Sequence, residues 1–232
     1  MEAFKEFKQL REKSGMTVRE FCTDCNIGKT SYTLYSEGKS DLRDIRTETA
    51  LKIFQVLNVD ICSFYDKNFH YKAETDEIMK RWLLQHPRNY SYNDLKCKYR
   101  NRLATIKKRS DSKNASLQEI KNYQKEIFKD KLVAVEDGMI SESDYKTYIL
   151  QLSYLIRKFQ SSEEEQTVLY DAMLHTDFTI TELAEILDLS RIHLRRVMLH
   201  KENLSKMKII KYLKLCYILE LEPAKCYNLY DI

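Results

Sequence analysis

Residues 21–39 read FCTDCNIGKTSYTLYSEGK, and two readings compete for them. Cys22 and Cys25 stand in a C-x-x-C spacing, which serves metal sites and redox pairs. The rest is a turn around Asn26 and then a run of short polar residues with helical spacing. If the cysteines carry chemistry, that run is scaffold; if they are packing, it is a surface free to recognise a partner. The other four cysteines (Cys62, Cys97, Cys216 and Cys226) are scattered, so no second pair lies close in sequence to complete a zinc site. Helical register puts Cys22 and Cys25 on an apolar face, where cysteine behaves as a small hydrophobe. The expectation is that the C-x-x-C is packing and that the functional half runs from Lys29 to Thr33.

The chain around this stretch has 232 residues, with only four Gly and two Pro. Sheet proteins spend these residues on turns, so their scarcity, with abundant Lys, Glu and Leu, predicts an all-α fold. No run approaches the roughly 18 apolar residues of a membrane span, and MEAFKEFKQL has no signal-peptide core. A cytoplasmic location with reduced cysteines is expected. The net charge of +4 is uneven. Residues 1–66 hold 10 basic and 11 acidic side chains, residues 67–161 hold 20 and 12, and residues 162–232 hold 9 and 12.

The chain also repeats itself. Residues 51–65, LKIFQVLNVDICSFY, align with residues 213–227, LKLCYILELEPAKCY, at an offset of 162. The same offset, without a gap, pairs Thr17 with Thr179, Glu20 with Glu182, Lys39 with Lys201 and Leu42 with Leu204. Apolar positions correspond more widely: Phe21 with Leu183, Cys22 with Ala184, Cys25 with Leu187, Ile27 with Leu189, Tyr32 with Leu194, and Tyr35 with Val197. One small helical module used at both ends explains the pattern.

Each copy parses alike. A first helix covers residues 4–13, with Phe4, Phe7 and Leu10 on one face; its counterpart is expected to start after Ser162, where Ser162-x-x-Glu165 makes a capping box. A second helix starts at the boxes Thr17-x-x-Glu20 and Thr179-x-x-Glu182. Turns follow at Asn26 and Asp188, residue types that tolerate left-handed backbone. A third helix covers residues 29–35 and 191–197. A last helix carries Ala50, Ile53, Phe54 and Leu57, matched by Tyr212, Leu215, Cys216 and Leu219.

The N-terminal segment resembles the lambda-repressor and Cro-like helix-turn-helix family, also called the xenobiotic-response-element family. The residues that carry the likeness are FKQLREKSGMTVREFCTDCNIGKTSYTLYSEGK and TALKIFQVLNVDICSFY. Leu10-Arg11, Phe21-Cys22, Asn26-Ile27 and Gly38-Lys39 fill the family's marked places. TELAEILDLSRIHLRRV, residues 181–197, resembles the same pattern, with Leu183-Ala184 closer to it and an exit, MLHKEN, that lacks the Gly. Val18 and Ile180 replace the family's DNA-contacting Gln, and Ser36 replaces its exit Glu. The resemblance implies two helix-turn-helix modules, residues 1–68 and 161–232, joined by a central helical linker or dimerisation domain, residues 69–160.

In that fold the third helix enters the major groove of double-stranded DNA. The positions left over from core packing are Lys29, Thr30, Ser31, Thr33 and Leu34, and in the second copy Arg191, Ile192, His193, Arg195 and Arg196. Thr17, Arg19 and Lys39, with Lys201 as the counterpart of Lys39, fall near phosphates. Leu34 and Ile192 suit a thymine methyl or a protein surface equally. The resemblance implies a sequence-specific transcriptional regulator, expected to be a repressor of a bacterial, phage or mobile-element operon. A homodimer would make four modules available. The rival expectation is a helix-turn-helix scaffold used for protein–protein interaction, as an antitoxin, an inhibitor or a peptide-responsive sensor.

In the middle, Pro87 follows a short helix around residues 78–84. Capping boxes at Ser91, Ser116 and Ser141 then start three helices, the first strongly basic (Lys96, Lys98, Arg100, Arg102, Lys107, Lys108, Arg109). Five His show no paired ligand spacing, and the chain has no phosphate loop, dinucleotide fingerprint or nucleophile elbow. No enzymatic activity, cofactor or metal is expected.

Overall fold

The computed structural model describes residues 2–86, 167–176 and 178–229, with backbone alone at 201 and 202. Every described element is helical, and among the described residues the only extended pairing is one isolated antiparallel bridge, Arg46 with Lys208. The protein is all-α, as its composition predicts. Pro87, the three serine capping boxes and the basic helix of the middle segment lie outside the described residues.

The chain divides into two compact units. One is Met1–Gln85 together with Ile180–Ile232; the other is His86–Thr179. Two end segments that sequence reading assigns to separate domains therefore share one unit. The described part of the second unit is mainly helix α7, Val168–His175, which buries Leu169, Met173 and Leu174. The expected start after Ser162 lies outside the described residues. Thr167 is extended, and its side chain accepts the Tyr170 N–H at 3.2 Å, so it supplies the N-cap.

In the first unit, α1 (Ala3–Lys13) buries Phe7 completely. Helix α2 (Val18–Asp24) opens on the expected box: the Glu20 N–H donates to Thr17 Oγ1 at 3.3 Å and the Thr17 N–H to Glu20 Oε2 at 2.8 Å. Helix α3 spans Lys29–Ser36 and α4 Thr47–Val56, with a 3-10 turn at Leu42–Asp44 between them. Phe7, Phe21 and Tyr32 meet ring to ring, with centroids 5.4–6.2 Å apart, and so lock α1, α2 and α3 together. Burying each such ring contributes about 1.5–3 kcal/mol. Helix α5 (Ile61–Phe69) adds Phe64 and Tyr65, which pack on Phe54.

Helix α6, Tyr71–Gln85, is longer than the short helix expected around residues 78–84. One left-handed residue, His70 (φ 51°), ends α5, and α6 begins immediately after it. No Gly or Pro marks the break, so the sequence offered no sign of it.

The C-terminal part of the unit comprises α8 (Ile180–Ile186), α9 (Arg191–Leu199), α10 (Lys201–Lys206), α11 (Ile209–Ile218) and α12 (Pro223–Asn228). The repeat register carries into these elements. Moved by 162 positions, α2 and α4 fall on α8 and α11 at both ends, and α3 and α5 share their first residues with α9 and α12. The left-handed residues match as well: Asn26 (φ 54°) with Asp188 (φ 50°), and Asn58 (φ 51°) with Glu220 (φ 55°). So do the bonds that close each turn. Ile27 N–H reaches Cys22 O as Leu189 N–H reaches Ala184 O, and Val59 N–H reaches Phe54 O as Leu221 N–H reaches Cys216 O.

The two copies meet at matching points. Thr47 N–H donates to Met207 O at 2.8 Å, and Ile209 N–H donates to Ile45 O at 2.8 Å. Moving Ile209 back by 162 positions gives Thr47, and moving Ile45 forward by 162 gives Met207, so the second bond is the first with the two copies exchanged. Helix α10 packs on α4 while α11 packs on the Leu42–Asp44 turn, a second reciprocal pair. This is the signature of an approximate two-fold axis running through the Arg46–Lys208 bridge. Helix α6 breaks the symmetry by strapping across the C-terminal copy. Glu74 pairs with Lys214 at 2.9 Å, Tyr217 Oη donates to Asp76 at 3.1 Å, and Trp82 Nε1 donates to Glu185 Oε2 at 3.2 Å.

Candidate nucleic-acid interface

Gly28, with ordinary extended backbone, and Ser190, whose Oγ accepts the His193 N–H at 3.1 Å, stand just before α3 and α9. On α3, Tyr32 and Ser36 are buried, whereas Lys29, Thr30, Ser31 and Leu34 are exposed and Thr33 is half-buried. On α9, Leu194, Val197 and Met198 are buried, whereas Arg191, Ile192, His193, Arg195 and Arg196 are exposed. The division between core and surface positions follows the sequence reading on both helices, except that Thr33, expected at the surface, and Tyr35, expected in the core, are both half-buried.

The remaining expected contacts are arranged less uniformly. Thr17 spends its hydroxyl on the α2 cap, donating to Glu20 Oε2 at 2.8 Å, so it is poorly placed to donate to a phosphate. Lys39 is held by Glu37 at 2.7 Å on the surface, a pairing that solvent keeps weak. Arg19 is exposed and lines a shallow groove with Val18, Thr23, Asn26, Gly28 and Lys29, where α2 meets the start of α3. Lys29, Arg191 and Arg196 have no ion pair among the described residues. The side chain of Lys201 lies outside the description.

Cys22 and Cys25 are buried beneath this surface. Cys25 is the C-cap of α2 rather than a residue within it. Burial, with Asp24 next in weight, pushes its thiol up to about 12, and burial also raises that of Cys22. Both are free thiols, and among the described residues no cluster of His, Cys, Asp and Glu could hold a metal ion. No described helix is long and apolar enough to cross a membrane.

Two basic residues escaped sequence reading. Arg46 and Lys208 are exposed, sit 162 positions apart, and form the bridge at the centre of the pair. The repeat register could have flagged them, since each is a cation immediately before a last-helix start. Lys208 also pairs with Asp44 at 2.8 Å. The reciprocal contact would set Arg46 against Lys206, two like charges, so this feature is one-sided.

Comparison with protein-family models, with curated proteins and with solved structures found no match for this chain.

Proposed function

We propose that this chain is a sequence-specific regulator of transcription that binds double-stranded DNA through two lambda-repressor-like helix-turn-helix modules, joined by a central helical segment. The modules are α1 to α5 and the repeat around α8 to α12; α3 and α9 are the helices offered to the major groove. The observation that carries this reading is α9. It turns Arg191, His193, Arg195 and Arg196 to solvent while anchoring itself through Leu194, Val197 and Met198. An exposed helix face of this composition, led by its N-terminal residues, matches the way such helices meet base edges and phosphates. Repression by occupying an operator is the regulatory sense the resemblance implies.

The test is a gel-shift series with the full chain. Replacing Lys29, Thr33, Arg195 and Arg196 together by Ala should abolish specific binding while the helical circular dichroism is kept. Each lost bidentate base contact should cost about 1–3 kcal/mol. Undiminished binding by the quadruple variant sinks the assignment of these residues.

A second reading, a protein-interaction scaffold, draws on the apolar side chains of the same surface. Ile192 is 67% exposed and Leu34 37%. Lack of DNA affinity even at low salt, with stable co-purification of a protein partner, would favour it. A steep fall of affinity with salt is the mark of phosphate contacts and would favour DNA.

A further inference from the structure

We infer that one chain is a complete reading unit: a covalent counterpart of a two-fold dimer that binds a single duplex carrying two unlike half-sites in inverted orientation. The inference rests on the DNA-binding reading and names the ligand of that surface.

The argument starts from the reciprocal bonds Thr47–Met207 and Ile209–Ile45, each 2.8 Å long. Both donors are the first residues of their helices, α4 and α11, and both acceptors lie two residues before such a start. A pair of bonds that exchanges copies in this way fixes a two-fold relation between them. Rotation about a two-fold axis leaves the component of any direction along the axis unchanged. Hence, if α3 projects its exposed face along the axis, α9 projects its face the same way, and the two can approach one side of a duplex. Duplex DNA has its own two-fold axes, and paired recognition helices read half-sites about one helical turn apart, roughly 10–10.5 base pairs centre to centre. The Arg46–Lys208 bridge supplies two exposed cations at the middle of that arrangement.

The reading helices are not equivalent. Along α3 the exposed positions are Lys29, Thr30, Ser31 and Leu34, with Thr33 half-buried beside them; the counterparts on α9 of these five are Arg191, Ile192, His193, Arg195 and Arg196. Arginine forks pair bidentately with guanine, whereas Ser and Thr discriminate weakly and Leu suits a thymine methyl. The α9 half-site is therefore the guanine-rich, more selective one, and the α3 half-site the more permissive.

The test begins with selection from a random duplex pool using the full chain. Chain-to-duplex stoichiometry is then measured by analytical ultracentrifugation on the selected sequence. One chain per duplex with two different inverted half-sites is expected. Two chains on a symmetric palindrome, or one chain protecting a single half-site, would overturn the inference while leaving DNA-binding intact. No enriched sequence would overturn both. A second arm makes the helices alike through Lys29→Arg, Thr30→Ile, Ser31→His, Thr33→Arg and Leu34→Arg. That variant, still one chain per duplex, should prefer a perfect inverted repeat of the guanine-rich half-site, by roughly tenfold for each base pair restored. Retention of the original asymmetric preference would count against the inference.

Discussion

Arg46 and Lys208 form an antiparallel bridge between chain segments 162 positions apart, and each stands immediately before the first residue of a helix. The first amides of a helix have no partner within it. Here the amides of Thr47 and Ile209 find partners across the bridge instead. Both should therefore exchange slowly with solvent deuterium, close to the rate of the core, while the N1 amide of α5 at Ile61 exchanges fast. Equal, rapid exchange at all three would show that the bridge is not a persistent feature.

Thr47→Pro tests the same contact by mutation. Proline suits the first helical position, and Arg46, at φ −65° and ψ 143°, already has the backbone a residue before proline requires. The helix should survive. The Met207 carbonyl would lose both its donors, the Thr47 N–H and the Thr47 hydroxyl at 2.9 Å. The expected loss is about 2 kcal/mol in denaturant unfolding, against about 1 kcal/mol for Thr47→Val, which keeps the amide.

Lys214 is buried, and Glu74 on α6 holds its ammonium at 2.9 Å. Glu74→Ala leaves that charge without its partner and should cost about 1–2 kcal/mol, below the fully buried case because Glu74 is half exposed. Lys214→Met removes the charge itself and should be neutral or stabilising. The paired thermal melts distinguish a buried ion pair from a decorative one; equal losses in both variants would contradict the account.

Gly38 has φ +70°, and a Cβ there would lie 2.7 Å from the Phe4 ring. Gly38→Ala should destabilise by about 1–3 kcal/mol, from left-handed strain and the displaced ring together. A variant Phe4→Leu,Gly38→Ala should recover part of this, since the strain remains while the clash is relieved.

Asp41 accepts two hydrogen bonds from the Arg43 guanidinium, at 2.6 and 2.8 Å, and these chiefly hold its carboxyl below the ordinary value near 3.8. The folded state thus binds this proton less readily than the unfolded state. Its stabilisation is complete above the ordinary carboxylate range and fades as pH falls through that range and then through the lower folded value. Because the pair is partly exposed, the effect is roughly 0.5–1 kcal/mol. Asp41→Asn should lower stability at pH 7, and the difference from the parent protein should shrink as pH falls below the ordinary carboxylate range; an unchanged gap at low pH would contradict this.

Much of the fold was legible because its signals are local. Thr17-x-x-Glu20 declared the start of α2, and Asn26 and Asp188 declared the left-handed turns that follow α2 and α8. The apolar register sorted Tyr32 and Leu194 from Lys29 and Arg191. The repeat offset carried this reading to the C-terminal copy. What escaped has a different physical origin. The Thr47–Met207 and Ile209–Ile45 bonds join backbone groups, which every residue possesses, so no side chain announces them. The true length of α6 was hidden because a histidine took the left-handed position that glycine would have advertised. The partners of α6, Lys214, Tyr217 and Glu185, lie more than a hundred positions away, beyond the reach of any periodicity. Of the surface residues, Thr17 could have been withheld from the DNA-facing set, since the box that identified its helix also claims its hydroxyl.

In a homodimer every codon change is written twice, so neither subunit can be adjusted without its twin. Here the two related segments are encoded separately, and the position held by Thr33 in one copy is already Arg195 in the other, as that of Leu34 is Arg196. One half can drift, specialise or fall silent while the other keeps its original task, and the backbone bridge at Thr47 and Ile209 holds the pair together throughout because it asks nothing of the side chains that change.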